Sequence, residues 1–272
     1  MPRTITVGVD GSPGSRIATD WALREARRRD VPLRLVHAAQ RCAEPDPVLS
    51  ETEARIARRA ADVRIDSDRV PGDPVSVLLT AAGDAELVVL GSPSSAAGVA
   101  GRLTGAVALT VVARCRRPVV LVPGGRPQDE HRPGDVVLGL DLTEPHDAVI
   151  GFAFDAASRR AARLRVVHGW KAEPDVHDAD DAADAGRSGA TTGARTLSEV
   201  LRPWRERFPG VEVAEQAVIG TAGRHLAEAS GDASLVVVGR TRRRGPVGAA
   251  LGPVTQAVLE HSSVPVAVIP HA

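Results

Sequence analysis

The amino-acid sequence predicts an α/β protein of two tandem doubly wound domains, each a five-stranded parallel sheet flanked by four helices. Three observations carry this expectation. The chain states nearly the same pattern twice: TVGVDGSPGSRIATDWALREA from Thr6, followed by LRLVHA, returns as VLGLDLTEPHDAVIGFAFDAA from Val137, followed by LRVVHG. No gap is needed, since Asp10 matches Asp141 and His37 matches His168 at one separation of 131 positions, and a unit of that length is a domain rather than a solenoid turn. Within each copy, short β-branched runs alternate with longer amphipathic stretches, the order of a parallel sheet covered by helices. The copies also end alike: AELVVLGS (from Ala85) with ASLVVVGR (from Ala233), and RRPVVLVPGG (from Arg116) with SVPVAVIPHA (from Ser263).

Each element follows from its local pattern. TITVGVD reads as a buried strand, and after the turn GSPGS the residues Ile17, Trp21, Ala22, Leu23 and Ala26 fall at helical spacing. LRLVHA is the second strand, a helix follows from about Ser50 to Ala61, and DVRIDSDRV is a third strand with a charged, exposed face. VPGDPVSVLLTAAG turns into a helix, AELVVLG is the fourth strand, GRLTGAVALTVVARC the fourth helix, and PVVLVP closes the unit. The second copy gives VVLGLD, a helix from His146 to Ala162, LRVVHG, a helix from about Thr196 to Arg207, VEVAEQAVI, a helix near Gly223 to Ala229, SLVVVG, a helix from about Gly252 to His261, and VPVAVIP. The polar segment GGRPQDEHRPG contains the linker, so the domains are expected at 1–125 and 135–272, joined by 126–134. PVVLVP and VPVAVIP are apolar terminal strands, expected to cover their edges by pairing as an internal pseudo-dimer of the two domains or between chains as a homodimer.

Composition narrows the function. A chain of 272 residues with 43% hydrophobic content can bury two cores. Lys plus Arg and Asp plus Glu are both 34, so no global field draws the protein to nucleic acid or an anionic membrane. No apolar run reaches a membrane span, and MPRTITVGVD goes straight into a strand pattern without a signal-peptide core, so a cytoplasmic protein is expected. Cys42 and Cys115 share no metal-ligand spacing. Aromatics are only 2%, which leaves little for stacking bases. The acidic stretch from Trp170 to Gly193 resembles a calcium loop at first, but a start at Asp178 would need Glu where Gly189 stands, and it reads instead as a surface loop.

In an open parallel sheet the binding crevice lies beyond the carboxyl ends of the strands where the winding reverses, here between strands one and four. That crevice gathers Asp10, Gly11 and Ser12 after strand one, His37 and Ala38 at the end of strand two, and Gly91, Ser92 and the stretch through Ser94, Gly98, Gly101 and Gly105 after strand four. Gly-rich backbone entering a helix N-terminus offers free N–H groups and a positive dipole end to a phosphate chain, and an acid at the end of strand one accepts from a ribose hydroxyl. Equally, the glycines can simply form a surface turn. Several enzyme classes drop out: the only lysine is Lys171, so a Walker loop is absent; GVDGSPG is not the dinucleotide G-x-G-x-x-G; and neither G-x-S-x-G nor His-Glu-x-x-His occurs. No general base stands beside a nucleophile in sequence, so a non-enzymatic protein is expected, with slow ATP hydrolysis the least supported alternative.

GVDGS, LVHA, VVLGS, a Gly-rich stretch and CRRPVVLVP together resemble the universal stress protein family in tandem form, over almost the whole chain. The resemblance implies a five-stranded α/β fold, dimerisation through the last strand and, in one branch, ATP with its Mg held without rapid turnover. That branch carries G-x2-G-x9-G-[ST] after strand four. Here Gly91 fits the first position, Ser94 takes the second, Gly105 comes one residue late and Ala106 replaces the hydroxyl residue. In the second copy Gly239 and Gly252 keep the spacing, while Arg242 replaces the middle glycine and Pro253 the hydroxyl residue. Loss of one hydrogen bond to a charged acceptor removes about 1.5 to 3 kcal/mol, one to two decades of affinity. Arg240 and Arg242 are candidates to replace lost amide contacts, against a reading in which this cationic loop is merely solvated. Asp141 is followed by LTEPHD, with Glu144 unfavourable to phosphate, so the first crevice is the favoured one.

His37 and His168 are expected as strand-end histidines satisfied by backbone, with an adenine-pocket wall as the alternative. Trp21 is expected in the core, and Phe152 is set against Ala22, so that the aromatic is not strictly repeated. Two functions compete: a regulatory module that binds an adenine nucleotide, and a scaffold whose two sites have decayed.

Overall fold

The computed structural model describes residues 4–39, 46–60, 62–92, 105–124, 134–170, 197–219, 222–241 and 251–272. The first half runs β1 (Thr4–Gly8), α1 (Pro13–Arg29), β2 (Leu33–Ala39), α2 (Pro47–Ala57), β3 (Ile65–Pro71), α3 (Pro74–Ala81), β4 (Ala85–Gly91), α4 (Ala106–Arg114) and β5 (Val119–Val122). The second runs β6 (Asp135–Gly139), α5 (Asp147–Arg160), β7 (Leu164–Trp170), α6 (197–207), β8 (Val213–Ile219), α7 (Ala222–Ala229), β9 (Ala233–Thr241), α8 (Pro253–His261) and β10 (Val266–His271).

Helix starts are written in dipeptides. Ser12-Pro13, Asp46-Pro47 and Asp73-Pro74 each place a side-chain acceptor at the N-cap and a proline in the first turn, where its missing N–H costs nothing. The Ser12 hydroxyl accepts from Ser15 N, one Asp46 oxygen from Val48 N and Leu49 N, and Asp73 from Ser76 N. The Asp46-Pro47 cap starts α2 three residues earlier than the hydrophobic period alone indicates. Asp30 and Ala161, matched positions of the two copies, end α1 and α5 in the left-handed conformation with φ of 53° and 47°.

The ten strands among the described residues form one sheet in the order β3-β2-β1-β4-β5-β10-β9-β6-β7-β8. Every neighbouring pair is parallel except β5–β10, which is antiparallel with Val266 opposite Leu121, Ala267 opposite Val120 and Val268 opposite Val119. The two terminal strands thus satisfy one another inside the chain and become interior strands. Alternate residues of the central strands face opposite layers: Leu87 and Val89 join the core beneath α1, α2, α5 and α6, whereas Val88 and Leu90 join the one beneath α3, α4, α7 and α8. Each core continues through both halves.

On the α1–α5 side the halves meet at a buried charge cluster. Glu25, 1% exposed, takes Arg160 from the other half at 2.6 Å and Arg29 at 2.7 Å, while Arg29 also reaches Glu86 at 2.7 Å and Asp155 at 3.1 Å. Arg29 and Arg160 are matched positions of the repeat, but Glu25 is matched by Ala156, so one carboxylate serves both arginines. Each arginine also lies over an aromatic ring of the opposite half, Arg29 over Phe152 at 5.4 Å and Arg160 over Trp21 at 5.9 Å. This corrects the alignment of Phe152 with Ala22: the register that matches Asp10 to Asp141 matches Trp21 to Phe152, and the aromatic is repeated because each ring seats the other half's arginine.

Candidate functional site

The winding reverses between β1 and β4, and again between β6 and β9, so each half opens a crevice at the carboxyl ends of its central strands. In the first half, Asp10 follows β1 and folds back as an Asx turn, its Oδ1 accepting from Ser12 N at 2.9 Å. Gly11 adopts φ of 78°, the left-handed turn that leads into α1. Burial pushes the Asp10 carboxyl upward, yet hydrogen bonds from Ser12 and Ser15 outweigh it and hold the group below its ordinary 3.8. Ser92 N donates to Val122 O at 2.8 Å, tying the end of β4 to β5.

Gly91 has a packing reason to be glycine. A Cβ there would overlap the backbone of Gly14 and stand 2.8 Å from Ser15 N, and one on Gly14 would stand 2.8 Å from Ser92 O. The two glycines let the start of α1 cross the end of β4 in contact. Ala38 is the penultimate residue of β2, and Gly105 is the N-cap of α4, with its carbonyl accepting from Leu109 N. Ser94, Gly98 and Gly101 lie outside the described residues, as do Arg242 and the acidic stretch beyond Trp170.

In the second half the corresponding elements enclose a cavity of about 1310 Å³ whose wall includes Asp141, His168, Gly239, Arg240, Gly252 and His271. Asp141 repeats the Asx turn of Asp10, with Oδ1 accepting from Thr143 N at 2.9 Å and Thr143 Oγ1 at 2.7 Å. Gly239 is a close approach, for a Cβ would stand 2.9 Å from His271 Nε2. Gly252 is the N-cap of α8 and a Cβ there would meet open space. Its helix presents its N-terminal end to the cavity, and Thr255 donates its hydroxyl back to Gly239 O at 3.1 Å. Arg240, only 7% exposed, donates from Nη2 to Cys115 O of the first half at 2.6 Å, so this guanidinium ties the two halves together.

The two repeated histidines are satisfied differently. His168 Nδ1 meets Leu140 O at 3.1 Å, the backbone contact expected of a strand-end histidine. His37 Nδ1 instead pairs with Asp46 Oδ2 at 2.7 Å and so braces the cap of α2. The Asp46 carboxyl is pushed up by burial but held below its ordinary value by His37 and the α2 amides. Sequence reasoning missed a third pair, His146 and His271, whose rings stack in the cavity wall at 3.7 Å between centroids. The available signal was their departure from the repeat, since they stand where the first copy has Ser15 and Gly124.

Among the described residues no group of three or more His, Cys, Asp or Glu side chains is arranged to hold a metal ion. No described helix is long and apolar enough to cross a membrane. What the crevices do offer is an exposed carboxylate at each first strand and, in the second half, a glycine-led helix N-terminus across an open cavity.

A sheet protein of two repeated halves with paired crevices of this kind is a tandem α/β protein by its architecture. Its family follows from comparison: the family model described as the universal stress protein family matches residues 1–123 and 134–270, and the chain belongs to that family, whose members are stress-response proteins. The universal stress protein Rv2005c of Mycobacterium tuberculosis is 33% identical over 97% of this chain and 96% of its own length, and Rv2623 of the same organism is 30% identical over 97% and 95%. Among solved structures, a universal stress protein from Archaeoglobus fulgidus superposes with a TM-score of 0.70 over 99% of this chain and 98% of its own at 18% identity, a likeness of fold.

Proposed function

We propose that the protein holds an adenine nucleotide, with accompanying Mg, in the second-half cavity without rapid turnover, and acts as a regulatory module whose conformation or partner choice the nucleotide biases. The observation that carries this reading is the joining of Asp141, Gly239 and Gly252 around one cavity of about 1310 Å³, above the ~300 to 1,000 Å³ usual for small-molecule pockets. In it, Asp141 serves as the ribose acceptor, while the N–H groups that open α8 and the positive end of its dipole face the phosphates. Pro253 removes one donor from that turn but suits the first helical position. The sequence favours the first crevice; the second is proposed on the cavity that its described residues line, whereas residues 93–104 of the first lie outside the described residues. Isothermal titration with Mg-ATP, together with an assay of phosphate release, tests the reading: binding heat lost in Asp141→Ala, with no steady phosphate release, is the expected result, and no heat for the unaltered protein refutes it.

A second reading, a scaffold without nucleotide, draws on two contacts. Gly91 is accounted for by its approach to Gly14, and Arg240 is committed to Cys115 O. On that reading the repeat persists because the β5–β10 seam and the Glu25 cluster need both halves.

A further inference from the structure

His146 and His271 sit where the first half carries a serine and a glycine, and their geometry is unusual for structural histidines. The rings stack at 3.7 Å with 32° between planes, and both line the cavity. Among the described residues His146 Nε2 and His271 Nδ1 are buried without a hydrogen-bond partner, whereas His168 and His37 are both bonded through Nδ1. Buried polar atoms are normally satisfied, and these two are shielded from solvent as the rings stand, so a ligand completes the contact by turning the rings toward the cavity. A neutral imidazole carries one donor and one acceptor, and an imidazolium carries two donors. Protonation therefore turns the pair from a near-neutral stack into a cationic donor set, which suits an oxyanion.

We infer that His146 and His271 form a proton-gated anion contact, which takes the phosphate of a ligand in the second-half cavity and tightens as the solution is acidified. This rests on the nucleotide reading of the cavity and adds its regulation. Around the pair carboxylates outnumber arginines, so with neutral rings the contact disfavours an anion and protonation of the rings is what admits one. From β9 comes Arg240, from the β6–α5 connection Asp141 and Glu144, and from the first turn of α5 Asp147. Across the cavity stand Arg224 and Glu228 of α7, His261 of α8 and His168 of β7. Burial first, and His146 next, push the His271 ring below its ordinary 6.5; the Ala272 backbone and Glu144 oppose them, while Arg240 adds to the fall. An anion that binds the protonated ring must raise its titration midpoint by linkage and be bound with proton uptake. The first half has no imidazole at the matching positions, so its crevice has no such dependence.

The test is a ring-resolved NMR titration of the intact chain against pH, with and without sulfate, a dianion that keeps its charge throughout the range. Without sulfate the His271 midpoint is expected below 6.5, and saturating sulfate is expected to raise it by about half a unit or more, roughly a threefold preference for the protonated form. His146→Gln is expected to raise the sulfate-free midpoint, because the neighbouring ring's charge is gone. Ordinary, independent midpoints that sulfate leaves unmoved overturn the inference, and the unaltered protein suffices to reveal them. Mg-ATP titrations at about pH 6 and about pH 8 separate it from the nucleotide reading. If ATP gives no heat while sulfate moves the rings, the nucleotide reading falls and the anion contact stands; if ATP binds equally at both pH values and sulfate moves nothing, the reverse holds.

Discussion

Replacing Glu25 by alanine, the residue that the repeat itself places at the matching position 156, is expected to loosen the joint between the halves more than any other single truncation at this interface. Glu25 is 1% exposed and is the only carboxylate within ion-pair distance of Arg160 among the described residues, whereas Arg29 retains Glu86 and Asp155. Arg160, with a side chain 7% exposed, is then left with Ala156 O and the face of Trp21. Breaking a buried pair from one side costs about 3 to 5 kcal/mol, a large share of the ~5 to 15 kcal/mol that separates folded from unfolded domains. Urea unfolding followed by tryptophan fluorescence measures it, with Trp21 reporting from the joint itself. Glu25→Ala combined with Arg160→Met removes the stranded charge and is expected to recover most of the loss. A loss below about 1 kcal/mol in the single variant, or no recovery in the double, refutes the claim that this charge pair is what the joint depends on.

Acid provides a related check: burial opposes ionisation of Glu25, but Arg160 and Arg29 hold its folded pKa below the ordinary 4.5, so its stabilisation is complete above that value and disappears as pH falls through the lowered one. The acid limb of a stability–pH curve is therefore expected to flatten in Glu25→Ala. Gly91→Ala is expected to destabilise by about 1 to 3 kcal/mol through overlap with Gly14, with or without ligand, and a neutral denaturation curve would contradict that packing. Gly252→Ala meets open space but alters the N-cap of α8, where Gly is preferred to Ala, so a thermal melt should show a loss of at most about 1 kcal/mol, which makes it the cleaner probe of the α8 terminus in binding assays. Asp46→Ala removes the cap of α2 and the partner of His37, at about 1 to 2 kcal/mol by denaturant titration.

Much of the fold is legible because the signals are local. The strands are short apolar runs, and the helix starts lie in Ser-Pro and Asp-Pro dipeptides whose cap chemistry does not depend on the rest of the chain. The pairing of PVVLVP with VPVAVIP was one of two alternatives, and the antiparallel β5–β10 seam selects the intramolecular one. The joint was not legible for a different reason: Glu25, Arg29 and Arg160 read as ordinary charges on helix faces, and only the meeting of α1 with α5 buries them. Two candidate site residues also make contacts that the sequence does not disclose. Gly91 fits a phosphate-loop pattern and also packs on the backbone of Gly14, and Arg240, a candidate phosphate contact, also reaches across the seam to Cys115. His146 and His271 lie far apart in sequence, and only closure of the second half stacks them.

The proposed nucleotide site lies in the second half. Native mass spectrometry of the intact chain with Mg-ATP addresses it directly: one nucleotide per chain, retained in Asp10→Ala and lost in Asp141→Ala, is the expected result. No bound mass, or a loss that follows Asp10→Ala and spares Asp141→Ala, contradicts it.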